Sequence, residues 1–491
     1  MARNCVAILR FVLICALLLW VPRYVSAQRV EDSCHAFFED PHQALDCAEA
    51  IFTQTDIPYH LPHLTLSSVP PDNGLPVGIV WEKRNYYVSS PFYNPDQALK
   101  PAEGYKSLVD ATAAAVISTN ASWYVTGSVT WLPPIHYHSE NRPGAETCHR
   151  LWVFCSKQVF GVQFSITDRS LQTIYFNGLG NSSPNTQFSF RQSDTYGGAI
   201  ARLPLFDWLA VEGQIENRKP DISFSSASLA SGSINESTAP GVSTQPDFMH
   251  YAAAVRTHAQ AISEPVTTDP PVTPPGTTPP PLMKHKFVWI FDNGVRQHWF
   301  VDEDTGHYSF RQTVIDGEEM VKLHSVIRKF VPPDSMTTGL KILKHFCNSR
   351  AAGLKQDDEC DFGELLFRPY LVLSDSNSGV VPFYLQPTLG GSDIESRLTL
   401  RGFNDYRFRD NDAAMVSVDY RIPVFDPIGA MVFYDAGNVG SSVDALSFAH
   451  ARQDGGVGAT LRLQKTVVAQ IYVGWGAGHG SHFGYNFTKF F

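Results

Sequence analysis

Several clusters in the chain have residue types and spacing that chemistry could use. His136-Tyr137-His138 places two imidazoles on the same side of an extended strand. Two ligands fall short of a zinc set and no third is marked, so a loop cluster is the better reading. Gly474–Gly480 (GWGAGHG) is glycine-rich but lacks the Lys-Ser/Thr ending of a phosphate loop. In a late strand and its hairpin such glycines serve lumen clearance or a tight turn. Gln356–Asp361 (QDDECD) is acidic without the spaced ligands and turn glycine of a calcium loop. No GxSxG elbow is present. The expectation is a protein that is not an enzyme and uses no metal or cofactor.

The leader sets the compartment. Residues 1–27 read as a secretory signal peptide: Arg3 and Arg10 at the start, the apolar core Phe11–Val21, and the small residues Val25-Ser26-Ala27 before a cleavage site at Gln28. The apolar core is far shorter than the ~20 residues that span a bilayer. Beyond the leader, Cys34/Cys47, Cys148/Cys155 and Cys347/Cys360 form close pairs. Export with an even cysteine count invites disulfides. Nearest-neighbour pairing is preferred among the arrangements that remain open.

Composition narrows the class. The formal charge of −10 offers no concentrated basic surface, so a nucleic-acid partner is not expected. Aromatics at 12%, with 35 Gly and 33 Pro, point to a β-rich chain rather than to disorder or helices.

Period-two alternation is the dominant pattern. In Trp123–Trp131 the apolar set Trp123, Val125, Val129 and Trp131 opposes Tyr124, Thr126, Ser128 and Thr130. In Ala413–Ile422, Val416, Val418 and Tyr420 oppose Ser417, Asp419 and Arg421. Trp208–Glu216, Gly456–Leu463 and Thr466–Gly476 behave alike. A soluble sandwich could show this with its apolar face inward. Alternation over most of the chain, with aromatics near strand ends, favours a membrane barrel with its apolar face to lipid and a polar lumen. Short connections (Pro204–Asp207, Pro423–Pro427, Gln464-Lys465) alternate with long ones (Ile222–Pro246, Gly440–Gln453), as on the two rims of a barrel. The chain ends on an aromatic strand in which Phe483, Tyr485, Phe487 and Phe491 share one face, similar to the terminal signature of bacterial outer-membrane barrels.

The expected fold is therefore all-β: a transmembrane antiparallel outer-membrane β-barrel of about 16 strands over residues 77–491. Residues 28–76 form a short periplasmic segment, helical around the AxxCAEAIF spacing that ends at Phe52. Two insertions interrupt the barrel. Residues 265–281 are Pro/Thr-rich and extended, and residues 334–360 carry Cys347 and Cys360.

The C-terminal region resembles the bacterial surface antigen superfamily, the outer-membrane assembly and translocation barrels of the BamA and TamA type. The residues that carry the likeness are Val381–Gly391 (VPFYLQPTLGG), Leu400–Asp410 (LRGFNDYRFRD), Asp419–Pro423 (DYRIP) and Phe433–Gly437 (FYDAG), in the order the family has them. Residues 28–76 are too few for the periplasmic POTRA domains usual in that family. The resemblance implies a long loop folded back into the lumen with Arg401, Gly402 and Phe403 at its tip. It implies Asp435 as the acidic partner of Arg401, with Asp419 as a second. A guanidinium in a narrow lumen loses water and needs a forked carboxylate partner.

The resemblance further implies a barrel in the bacterial outer membrane, in contact with its lipid, that inserts or translocates client outer-membrane or secreted proteins. The alternative is a passive, porin-like channel or a structural barrel that keeps the fold without assembly activity.

Overall fold

Alternating side chains make long strands, and long strands make one sheet. The computed structural model describes residues 63–65, 76–88, 106–132, 161–183, 187–206, 209–225, 233–263, 283–327, 358–376, 378, 380–394, 397–425, 427–447, 449, 451–463, 466–478 and 480–487. In chain order the strands are β1 (His63–Thr65), β2 (Pro76–Val88), β3 (Lys106–Ser118), β4 (Trp123–Leu132), β5 (Gly161–Phe176) and β6 (Phe188–Phe206). Next come β7 (Leu209–Phe224), β8 (Phe248–Ser263), β9 (Met283–Asp302), β10 (Phe310–Ile327) and β11 (Asp358–Ser376). Two short strands follow, β12 (Thr388–Leu389) and β13 (Phe408–Arg409). The last are β14 (Asp412–Phe425), β15 (Ile428–Gly440), β16 (Arg452–Leu463), β17 (Thr466–Gly476) and β18 (Gly480–Phe487).

Sixteen of them form a single antiparallel meander, each strand bonded to its sequence neighbour, with β12 and β13 paired separately. The expected all-β antiparallel architecture and strand count are what the chain adopts. Pairing between β1 and β18 is not seen among the described residues, so the sheet is curled without a described closing seam. The curl is visible in what the strands enclose. The segment between β11 and β14 touches β5, β6 and β7 through Phe383. It touches β14 and β15 through Arg401 and β16 and β17 through Gly402. Strands from opposite ends of the meander therefore face each other across one folded-in segment.

Each strand sorts its residues between two environments. Along β15, even-numbered residues from Ile428 to Tyr434 are exposed and odd-numbered residues from Gly429 to Asp435 are buried. The outward set is apolar: Val125, Trp131, Ile166, Ile215, Val432 and Trp475 are all more than 40% exposed. Such a continuous apolar exterior suits hydrocarbon, not water. The buried set is polar and charged, including Arg169, Asp194, Asp419 and Asp435.

The short connections predicted after β6, β14 and β16 fall at one rim, and the longer 225–247 and 441–451 connections fall at the other. At that second rim the lumen is filled rather than open. Phe176, Phe190, Phe224, Phe248 and Phe310 pack beneath the loops with Phe383 from the folded-in segment. The rings of Phe176, Phe190 and Phe224 lie 5.2, 5.2 and 5.7 Å from that of Phe383.

Two boundaries shift. His63–Thr65 pairs with Gly78–Val80, so the sheet begins inside the expected 28–76 segment. Asp358–Cys360 pairs with Ser325–Ile327, so the end of the 334–360 insertion is the first part of β11. The leader 1–27, the helix expected around Phe52, the 265–281 insertion, the remainder of 334–360, His136, His138 and Phe491 lie outside the described residues.

Candidate functional site

The site is built by the 35-residue connection between β11 and β14, which enters the lumen instead of projecting away from it. Its entry is the Leu389-Gly390-Gly391 turn. Gly390 and Gly391 have φ of 116° and 57°, conformations that a Cβ disfavours. A Cβ on Gly390 would also lie 2.5 Å from the Asn404 carbonyl. Residues 391–394 bond back to 397–400: Gly391 N–H donates to Leu400 O (2.8 Å) and Asp393 N–H to Arg397 O (2.9 Å).

Arg401 has no exposed surface. Its Nε donates to Asp435 Oδ2 (2.8 Å) and its Nη2 to Asp435 Oδ1 (2.7 Å), a two-point fork. The Arg401 backbone N–H adds a bond to Asp435 Oδ2 at 3.2 Å. Nη2 also donates to Asp419 Oδ1 and to Ser417 Oγ (3.0 Å). The guanidinium carbon stands 3.8 Å over the Phe433 ring, so a cation–π contact covers one of its faces. Burial lowers the pKa of this guanidinium, but Asp435 and Asp419 outweigh burial and hold it above its ordinary value. The predicted tip residue and both predicted acids are therefore brought together.

The wall supplies cations of its own. Arg368 on β11 donates to Asp419 Oδ2 (2.7 Å) and to Ser417 Oγ (3.1 Å). Arg421 on β14 reaches Asp419 Oδ2 at 3.3 Å. Asp419 is thus shared among three guanidinia, whereas the forked partner of Asp435 comes from the plug alone.

Glycines let the tip come this close. A Cβ on Gly402 would be 2.6 Å from the Gly476 nitrogen and from Asp454 Cβ. A Cβ on Gly474 would be 2.9 Å from the Arg401 carbonyl, and one on Gly476 would be 2.8 Å from Phe403 Cζ. The GWGAGHG segment is therefore the seat of the tip, the lumen clearance anticipated for it. Phe403 is buried, its ring edge-on to Phe408 at 5.1 Å. His482 Nδ1 lies 3.1 Å from the Arg401 carbonyl, so β18 also touches the plug.

The FRD element secures the rest of the plug. Arg407 donates to Ser183 Oγ (2.7 Å) and Ser183 O (2.8 Å) in the 177–187 loop. Arg409 is buried against Phe190 and Phe383 and donates to the Phe383 carbonyl. Burial pushes its guanidinium down to about 10.

A second set of lumen charges lies on the opposite wall. Arg169 donates to Asp194 Oδ2 through Nε (2.9 Å) and Nη2 (2.8 Å), and Arg218 lies 3.7 Å from the same oxygen. Glu212 lies between Arg202 (3.8 Å) and Arg296 (3.2 Å). Glu216, His250 and His298 form a chain with links of 2.9 and 2.8 Å. Between this wall and the plug is a cavity of about 470 Å³.

In the C-terminal strand, Phe483 is 57% exposed and Tyr485 lies on the same outward-facing side. Phe487 closes β18, and its side chain is outside the described set, as is Phe491. The cysteine pairs cannot be placed against one another: Cys34, Cys47, Cys148, Cys155 and Cys347 fall outside the described residues. Cys360 is placed only by its backbone in β11.

Sequence reasoning missed Arg368, Phe433 as a ring beneath Arg401, Asp454, Asp194 and His250. Strand parity marked Arg421 and Glu216 as inward, but not their partners.

No family model and no curated protein sequence matches the chain. Among solved structures it is similar to BamA from Haemophilus ducreyi lacking POTRA domains 1–3, at 10% identity and TM-score 0.40, over 87% of this chain and 74% of that one. It is also similar to CdiB from Escherichia coli, at 9% identity and TM-score 0.41, over 91% and 70% of the two chains. CdiB from Acinetobacter baumannii gives 8% identity and TM-score 0.34, over 84% and 55%.

Proposed function

We propose that this barrel belongs to the outer-membrane assembly and translocation superfamily and promotes insertion or translocation of proteins at the bacterial outer membrane. The observation that carries the reading is the seated tip: Arg401 forked onto Asp435 and bonded to Asp419, over glycines that leave room for it. A chain that inserts this much specific contact into its own lumen has built a movable closure. Outer-membrane lipid covers the apolar exterior, and client outer-membrane or secreted chains are the partners. No nucleotide chemistry is invoked, so the folding of the client supplies the driving force.

A passive channel is the second reading. It is disfavoured by the aromatic packing of Phe176, Phe190, Phe224 and Phe383, which fills the loop rim where a pore needs water. The experiment is a quantitative proteome of outer membrane and culture medium, with and without the gene. Depletion of a defined client set, restored by wild type but not by Arg401→Ala at equal barrel abundance, is the expected result. An unchanged proteome would leave the channel or a structural barrel as the account.

A further inference from the structure

Beyond β5 the chain turns over the lumen before it enters β6. Gly178 and Gly180, with φ of 92° and 84°, take the left-handed conformations that bend it. The resulting strap, residues 177–183, grips two parts of the molecule at once.

One grip is on the plug. Gly180 N–H donates to Arg409 O (2.8 Å). Ser183 accepts from Arg407 through its Oγ (2.7 Å) and its carbonyl (2.8 Å). Ser183 and Arg407 are both buried.

The other grip is on the wall, far along the meander. Asn181 Oδ1 accepts the Val439 N–H (3.1 Å), and the Asn181 carbonyl accepts from Arg452 Nη2 (2.8 Å). The β15–β16 ladder has its last rung at Gly437 and Arg452. Val439 lies two residues beyond that rung, where Asn181 supplies the acceptor that β16 no longer offers. Among the described residues, Asn181 bonds to the wall and not to the plug.

The two grips converge on one ring. Arg407 of the plug and Arg452 of the wall stand over Phe408, 4.9 and 5.6 Å from its centre. Each guanidinium also donates to a strap carbonyl, Ser183 and Asn181 respectively. They differ in their access to water. The plug grip is buried, whereas Asn181 is half-buried and Ser182 beside it is exposed. Hydrogen bonds at a wet rim open more readily than buried ones.

We propose that residues 177–183 are a latch, which locks the seated plug to the β15–β16 corner and lets go first at Asn181 when the plug leaves. Strap and plug then move together, because the grip they share is the more buried one. The inference rests on the plug being a movable closure, and not on whether the barrel handles clients.

The test is open probability of the full chain in planar bilayers, with the melting temperature as control. Asn181→Ala deletes one hydrogen bond to the wall and should raise opening about fivefold with unchanged melting. Asn181→Asp keeps an acceptor for the Val439 N–H and should stay near wild type. In an Arg407→Gln background, where the strap has already lost its hold on the plug, Asn181→Ala should add little. Should Asn181→Ala melt early, Arg452→Gln removes the other half of the same grip and faces the same test. Wild-type opening in Asn181→Ala, beside an Asp435→Ala variant that opens, would overturn the latch alone. So would an equal effect of Asn181→Ala with and without Arg407. Silence of both Asn181→Ala and Asp435→Ala would overturn the movable plug, and the latch with it.

Discussion

The two walls of the lumen carry similar charges but use them differently. On the β5–β9 side the acids find their partners within the wall: Asp194 pairs with Arg169, Glu212 with Arg296 and Glu216 with His250. On the β14–β15 side Asp435 is satisfied by a guanidinium that the plug brings. The first wall draws its counter-charges from its own strands, and the second draws that of Asp435 from the plug. Burying a charge without its partner is costly, so the second wall makes plug docking a requirement rather than an ornament. It also concentrates the buried ion pairs of the plug on that side. The opposite contact at the rim is aromatic, through Phe383.

The sharpest break of this comparison is a matched pair of substitutions. Asp435→Ala should release the plug by about 3–5 kcal/mol if the site is fully desolvated, less if water enters. Asp194→Ala should lower barrel stability by a similar order while leaving docking almost unchanged. Conductance in planar bilayers reads docking, and thermal unfolding reads the barrel. Equal effects of both variants on conductance would erase the distinction between the walls.

A milder effect follows from the glycine seat. Gly402→Ala places a methyl 2.6 Å from backbone on β17, and overpacking of this kind costs about 1–3 kcal/mol. The expected outcome is partial plug release with unchanged barrel stability. The same substitution at Gly213, where a Cβ would meet nothing within 4 Å, should do neither.

The smallest effect concerns the rim. Burial raises the pKa of the Glu236 carboxyl, but hydrogen bonds from Ser243, Tyr308 and the Gly241 N–H outweigh burial and hold it below its ordinary value. A carboxyl depressed by folding contributes stability above its unfolded value and loses it as pH falls through the folded one. Proteolytic nicking of the 225–247 loop should therefore rise on acidification below the ordinary carboxylate range, near about 4. Glu236→Gln should be nicked faster already at neutral pH and respond less to acid. A wild-type loop indifferent to pH would remove Glu236 from the account.

Much of this was legible beforehand, for a physical reason. Alternation in Ala413–Ile422 declares which side chains point inward, so Ser417, Asp419 and Arg421 were assigned to the lumen before any contact was known. The partnership of Arg401 with Asp435 is what the family resemblance implies, and strand parity agrees with it. Glu216, His250 and His298 were not legible as a chain. They are 34 and 48 residues apart in sequence and meet only through the register of β7, β8 and β9. Arg368 escaped for the same reason, since its place beside Ser417 is a matter of pairing between β11 and β14. Of the GWGAGHG glycines, expected to give lumen clearance or a tight turn, Gly478 and Gly480, both at φ of 79°, lie at the turn, and Gly474 and Gly476 give the clearance. What they clear, the Arg401-Gly402-Phe403 tip, requires the fold.

The central claim is that Arg401 and Asp435 act as one unit to hold the plug. A double-mutant cycle of Arg401→Ala, Asp435→Ala and the double variant, read as open probability in planar bilayers, tests it directly. The account predicts strong non-additivity, with a coupling of about 1–3 kcal/mol and a double variant scarcely more open than either single one. Additive effects would mean that the two residues act separately, and would contradict the account.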